Sequence, residues 1–136
     1  MIIKITKDNT YILKDTFIDI NYINDEFKSN PYAEILILKE KDEIIGYIYY
    51  SIIYDRVEIN QFEINSIHRN CGKGGFLLQE LIKSVEKDIT LEVKKDNYQA
   101  IHLYEKNGFR KIAIRKSYYK DTDGILMERK YKKDSH

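Results

Sequence analysis

The 136 residues contain one cysteine, Cys71, and one proline, Pro31. A single cysteine excludes a disulfide framework and a cysteine-rich zinc site. It fits a reducing, cytoplasmic setting. No Pro-, Gly- or Ser-rich linker divides the chain, so residues 1–136 read as one domain, a normal size for a self-sufficient core. Neither charge sign dominates, with 23 Lys and Arg against 22 Asp and Glu. That balance lacks the global basic field of non-specific nucleic-acid binding, and no specific nucleic-acid partner is expected. No apolar run reaches the roughly 20 residues of a membrane-spanning helix. The longest, IIGYIYYSIIY at Ile44–Tyr54, reads as a buried strand. The start, MIIKITKDNT, holds no signal-peptide core, so neither targeting nor a membrane partner is expected. His68, His102 and His136 show no ligand spacing, and no metal is expected.

Periodicity supplies the elements that are present. Ile2–Lys7 alternates as a strand. Thr10–Ile20 places Ile12, Leu13, Phe17 and Ile20 near helical spacing, and Asn21–Tyr32 reads as a short second helix or loop. Ala33–Lys39, Glu43–Tyr54 and Val57–Asn65 form an antiparallel meander. Ile67–Gly75, a loop with three of the six glycines, leads into a helix carrying Phe76, Leu77, Leu78, Leu81, Ile82 and Val85 on one face. Ile89–Lys94 alternates as a strand. Asp96-Asn97-Tyr98-Gln99 resembles a capping box, and Gly108 supplies the left-handed stop of the helix it opens. Arg110–Tyr119 and Ile125–Tyr131 read as strands joined by a turn at Asp123-Gly124. KKDSH reads as a frayed tail, and the Lys130–Lys133 basic cluster as solvated. A strand, glycine loop, helix, strand crossover implies one parallel pair in an otherwise antiparallel sheet.

The glycine loop reads Arg69-Asn70-Cys71-Gly72-Lys73-Gly74-Gly75. Glycines let backbone N–H groups approach a ligand, and the following helix N-terminus adds partial positive charge, so the loop suits a phosphate or pyrophosphate. A plain strand-to-helix turn is the bland alternative. The ATP-type loop is excluded, because Ile67 stands at its first Gly position and Gly74 follows Gly72-Lys73. The dinucleotide fingerprint is excluded by Leu77 at the third Gly position.

Arg69-x-x-Gly72-x-Gly74 resembles the acetyl-CoA loop of the GCN5-related N-acetyltransferases, the GNAT superfamily. Downstream, Leu91-Glu92-Val93, Asn97, Ala100-Ile101, Leu103-Tyr104-Glu105, Gly108-Phe109 and Tyr118-Tyr119 follow the spacing of the subgroup that acetylates the α-amine of ribosomal-protein N-termini, typically at alanine. Ser66, His68 and Lys73 depart from the usual Pro, aromatic and small aliphatic residues, but none removes a backbone donor. The resemblance implies an α+β fold in α/β/α layers: a mixed, mostly antiparallel sheet of about seven strands, a splayed parallel pair holding the cofactor, and about four helices. It implies acetyl-CoA as co-substrate and direct transfer to a primary amine.

The resemblance also implies site residues. Phe62, Glu63 and Ile64 would pair with the cofactor arm. Arg69, Asn70, Cys71, Gly72, Lys73, Gly74 and Gly75 would hold its diphosphate, and Asn97 and Tyr104 would contact the arm. Glu92 is the candidate base, with Glu58 and Glu63 as rivals; a solvent-facing strand Glu is the other reading. Tyr104 is the candidate acid, seven residues after Asn97 on one helix face, with a packed core tyrosine as the other reading. A covalent route through Cys71 is set aside, since only His68 is near it in sequence and the family transfers directly. The expected partner is a protein N-terminus, or else a small amine of the polyamine or aminoglycoside type, and the expected assembly a monomer or homodimer. A cofactor-binding sensor without catalysis is the remaining alternative, opposed by the presence of both Glu92 and Tyr104.

Overall fold

The computed structural model describes residues 1–132. Residues 133–136 lie outside them, and with them most of the KKDSH tail and the Lys133 end of the basic cluster. Seven strands form one sheet: β1 (Ile2–Ile5), β2 (Ala33–Glu40), β3 (Glu43–Ile53), β4 (Arg56–Ile64), β5 (Asp88–Lys94), β6 (Arg110–Tyr119) and β7 (Thr122–Arg129). The order is β1-β2-β3-β4-β5-β7-β6, antiparallel throughout except for the β4–β5 pair. The expected layered fold is the observed one. Three α-helices are present among the described residues, α1 (Ile20–Ser29), α2 (Lys73–Val85) and α3 (Tyr98–Lys106), rather than about four.

The difference arises in the N-terminal segment. Thr10–Leu13 is a single 3-10 turn rather than the start of a helix reaching Ile20. Asp15 takes a left-handed backbone with φ 61°, which breaks the helical path, and the Thr16 hydroxyl donates to the Leu13 carbonyl. The helix instead begins at Ile20, where the Asp19 carboxylate accepts from the amides of Asn21 and Tyr22. β1 stops at Ile5, where Asn9 Oδ1 accepts from the Thr6 amide at 2.7 Å. The final hairpin turns at Lys120-Asp121, between paired Tyr119 and Thr122, so Asp123-Gly124 lies inside β7 rather than in the turn.

Two apolar clusters cover the two sheet faces. One joins Leu77, Leu78 and Leu81 of α2 and Ile101 and Tyr104 of α3 to Val57, Ile89, Leu91, Val93 and Met127 of the sheet. The other joins Ile23 of α1 and Leu13 to Ile35, Ile37, Tyr47 and Tyr49. Strand alternation sends Leu91 and Val93 to the α2–α3 face and Glu92 to the face on which α1 packs. Three tyrosines of β3 are buried with their hydroxyls on carboxylates: Tyr47 on Glu63, Tyr49 on Glu26 and Tyr50 on Glu34. Burial pushes all three phenols up, Tyr49 to about 12.

Candidate active site

The parallel β4–β5 ladder is short. Arg56–Ile59 pair with Asp88–Leu91, and the strands then part. Asn60 marks the point. Tyr50 faces Ile59 while the neighbouring Tyr49 faces Gln61, so Asn60 is the extra residue of a β-bulge. Its side-chain amide donates to Ser51 Oγ at 2.7 Å, and Ser51 also accepts from Asn30 at 2.8 Å. A bulge bends and twists its strand. Beyond it, Gln61–Ile64 still pair with β3 on one side but have no strand partner on the β5 side. Gly46 keeps β3 and this free end close: a Cβ there would lie 2.9 Å from the Glu63 carbonyl oxygen.

The open end leads into a cleft of about 540 Å³ that reaches the start of α2. Phe62, Glu63 and Ile64 line one wall, Arg69, Asn70, Gly72, Lys73, Gly74 and Gly75 the end, and Asn97 and Tyr104 the wall of α3. Asn70 and Gly72 are both left-handed, with φ 64° and 77°, and α2 starts at once after Gly72. Helix formation therefore begins at Lys73, inside the glycine run. The first-turn amides have no carbonyl below them to bond and are free for an anion. A Cβ at Gly72 would meet nothing within 4 Å, so the space beside the loop is open.

Two loop side chains are engaged elsewhere. Lys73 Nζ lies 2.6 Å from Glu40 and holds that carboxyl below its usual range. Arg69 Nε donates to the Ile64 carbonyl at 3.1 Å, tying the loop to the end of β4. Cys71 is exposed, with its thiol on the Arg69 carbonyl, and its residue is not part of the cleft wall.

Asn97, rather than Asp96, caps α3, its side chain accepting from the Ala100 amide. Gln99 makes no reciprocal box bond and instead donates to Asn70 Oδ1 at 2.7 Å, joining α3 to the glycine loop. Tyr104 is 8% exposed, packed between Phe62 and Phe109 with ring centroids 6.3 Å and 5.6 Å away. Burial raises its phenol to about 12, so it stays neutral and keeps its proton at any physiological pH.

The three candidate bases occupy different positions. Glu58 faces Thr90 in the closed part of the β4–β5 ladder. Glu63 lies in the cleft wall, its Oε1 accepting from the Tyr47 hydroxyl at 3.2 Å. Glu92 sits on β5 just past the last paired residue, Leu91, its Oε1 3.3 Å from Arg115 Nε. Tyr104 and Glu92 therefore approach the mouth of the gap from opposite faces of the sheet. Among the described residues, no group of three His, Cys, Asp or Glu is arranged to hold a metal ion, and no helix is long and apolar enough to cross a membrane.

The profile of the acetyltransferase (GNAT) family matches residues 4–109. The chain belongs to that family. This GNAT protein is an N-acetyltransferase, and the [ribosomal protein bS18]-alanine N-acetyltransferase of Haemophilus influenzae is among its relatives, 34% identical over 103 residues that cover 71% of this chain and 70% of the relative. The ribosomal-protein-S18-alanine N-acetyltransferase of Escherichia coli has the same fold, with a TM-score of 0.82 over 100% of this chain and 96% of that one, at 20% identity. A GNAT family acetyltransferase from Elizabethkingia anophelis with acetyl-CoA bound superposes with a TM-score of 0.77 at 23% identity, covering 96% and 97% of the two chains.

The cleft of this GNAT chain also includes side chains that were not among the expected site residues: His68, Gln99, Ala100, His102, Leu103 and Lys106. On α3 only Ala100 shares the Tyr104 face; Gln99, His102 and Lys106 recur three to four residues apart but lie roughly 140–160° around the helix from Tyr104, so the Asn97–Tyr104 spacing gave no sign of them. His68 lies outside α3. It reaches the cleft through a 3-10 turn, Ser66–His68, with Nε2 3.1 Å from Glu43.

Proposed function

We propose that this GNAT protein transfers the acetyl group of acetyl-CoA to the N-terminal α-amine of a protein, with ribosomal-protein N-termini as the substrate class. The observation that carries the reading is the interrupted β4–β5 pair, open to a glycine loop at one end and flanked by Tyr104 and Glu92 on opposite faces at the other. The residues present fit the cofactor. The free edge of Phe62–Ile64 offers strand hydrogen bonds to an extended amide-bearing arm. The Gly72–Gly75 amides and the α2 N-terminus offer donors to a diphosphate. When bound, the group supplies a thioester-activated acetyl.

The chain's own part is then threefold. Glu92 accepts a proton from the incoming ammonium, directly or through a water, leaving a neutral nucleophile. Tyr104, neutral at about 12, donates a hydrogen bond where thiolate charge develops on the far face. An ordinary thiol near 8.5 is a stronger acid than such a phenol. Tyr104 therefore stabilises the leaving sulfur by hydrogen bonding, and the proton taken from the amine completes its protonation. The apolar ring pair of Phe62 and Phe109 keeps water from the Tyr104 side.

Proton arithmetic supports an α-amine acceptor. With a reference value near 7.8, about one α-amine in seven is neutral at pH 7. A lysine near 10.4 is neutral only about four times in ten thousand. A single carboxylate suits the first task. The names of the relatives point the same way. The test is a panel of acetyl acceptors read by mass spectrometry. Peptides with a free N-terminal Ala or Ser should be acetylated at the α-amine, and blocking that amine while keeping internal Lys should abolish the reaction. Faster turnover of spermidine or an aminoglycoside than of any peptide would overturn the acceptor assignment.

A further inference from the structure

Glu92 carries one oxygen that is satisfied and one that is not. Oε1 is paired with Arg115 at 3.3 Å. Oε2 has no surface open to solvent and no hydrogen-bond partner among the described residues. Leaving a carboxylate oxygen buried and unpaired is costly, and the Arg115 charge at Oε1 is what offsets that cost.

The pair is also unusual in its path. Glu92 is on β5 and Arg115 on β6, with β7 between them. In the register, Gly124 of β7 lies directly opposite Arg115 on one side and Lys94 on the other. Having no side chain, Gly124 lets the arginine cross the strand. A Cβ there would stand 3.1 Å from Glu92 Oε2 and 3.3 Å from the Tyr118 ring. The guanidinium is steadied in turn by the Tyr118 ring, whose centroid is 4.9 Å away.

We propose that Arg115, reaching over Gly124, is the positioning residue of the catalytic carboxylate: it holds Glu92 by Oε1 while Oε2 packs against Gly124, and so fixes the side chain that takes the proton of the acceptor ammonium. The assignment rests on the reading of Glu92 as the base. In the step itself, one N–H bond of the ammonium breaks, an O–H bond forms on the Glu92 carboxylate, and the nitrogen keeps the electron pair it uses on the acetyl carbonyl. Arg115 remains charged throughout and touches neither substrate. Other charged and titratable groups face this carboxylate: Lys94 on β5, Glu128 on β7, Glu58 on β4, and Tyr118 and Tyr119 on β6. The Tyr119 phenol is raised by burial first and by the neighbouring Glu92 second. All of these stay constant when Arg115 alone is changed.

The test is kcat and KM with acetyl-CoA and an N-terminal-alanine peptide, measured for the wild type, Arg115→Gln, Arg115→Lys, Glu92→Gln and Gly124→Val. The kcat of Arg115→Gln should fall about tenfold through lost orientation, with the KM for acetyl-CoA unchanged. Arg115→Lys should recover part of that kcat. Gly124→Val, which blocks the crossing and keeps the arginine, should reproduce the Arg115→Gln loss. In the Glu92→Gln background, Arg115→Gln should add no further loss. A wild-type kcat in Arg115→Gln, with Glu92→Gln strongly impaired, overturns the assignment of Arg115 and leaves the base in place. Wild-type activity in Glu92→Gln overturns the base and this inference with it.

Discussion

Replacing Tyr104 by Phe separates its two structural roles. The ring is 8% exposed and packs on Phe62 and Phe109, and Phe keeps those contacts. No hydrogen bond of the hydroxyl to a protein group is present among the described residues, and burial alone raises its pKa. Removing it therefore leaves no stranded partner, and stability should change by less than about 1 kcal/mol. The cost should fall on the chemistry. A hydrogen-bond donor aimed at developing charge is worth about 10²–10³-fold, or about 2.7–4 kcal/mol of barrier. The assay is thiol release under single-turnover conditions, with acetyl-CoA affinity measured beside it by calorimetry. We expect kcat to fall at least a hundredfold while the acetyl-CoA Kd moves less than about threefold, because the diphosphate and arm contacts are untouched. The pH profile adds a check on sign. With the folded-state phenol at about 12, the protonated form persists below that value, so wild-type activity should show no Tyr104-dependent alkaline fall up to about pH 10. A transfer rate within about threefold of wild type in Tyr104→Phe, with the acetyl step rate-limiting, would refute the donor role and return Tyr104 to the core.

Other perturbations test the frame around the site. Gly46→Ala brings a Cβ to 2.9 Å from the Glu63 carbonyl, backbone that cannot swing aside, and should cost about 1–3 kcal/mol in urea unfolding. Gly72→Ala has open space but must hold φ 77°, so it should cost about 1–2 kcal/mol and lower Tm with little steric effect on the cleft. A bulky Gly72→Trp should instead abolish acetyl-CoA binding in calorimetry. Tyr47, Tyr49, Tyr50 and Tyr104 all have folded-state pKa values raised above the unfolded value near 10. Their contribution is complete below that value and is lost as pH rises through the folded values, so Tm should hold steady to about pH 9.5 and fall steeply above about pH 10. Tyr50→Phe should flatten that alkaline slope.

The parts of this molecule that were legible in its sequence are those set by short-range periodicity. Leu77, Leu78 and Leu81 are fully buried because α2 turns one face to the sheet, and that face is written in their spacing. Alternation put Glu92 opposite Leu91 and Val93, and helical spacing put Tyr104 on the cleft side of α3. Features made by tertiary context were not legible. Asn60 looks like any outward polar residue of an alternating strand, yet its bulge ends the β4–β5 ladder, and the reason lies in β3 and α1 through Ser51 and Asn30. Asp15 interrupts an apolar spacing that otherwise suits a helix, through a left-handed φ that the side chain does not announce. Asp123-Gly124 carries a strong turn signal, but pairing with β5 and β6 draws it into β7, and the glycine serves there as the saddle beneath Arg115. The Glu92–Arg115 pair spans a whole strand and could not be read from either segment alone.

The most direct test is the affinity of a bisubstrate conjugate in which an acetyl linker joins the CoA sulfur to the α-amine of a short Ala-initiated peptide. If acetyl passes through the β4–β5 gap from the Tyr104 face to the Glu92 face, one molecule fills both sites at once. Titration calorimetry should then give a Kd at least about a hundredfold below that of CoA or of the peptide alone, and the gain should vanish when the conjugated peptide is truncated to the amine. A conjugate that binds no tighter than CoA itself would contradict the account, because the peptide would then have no place on the face where Glu92 waits.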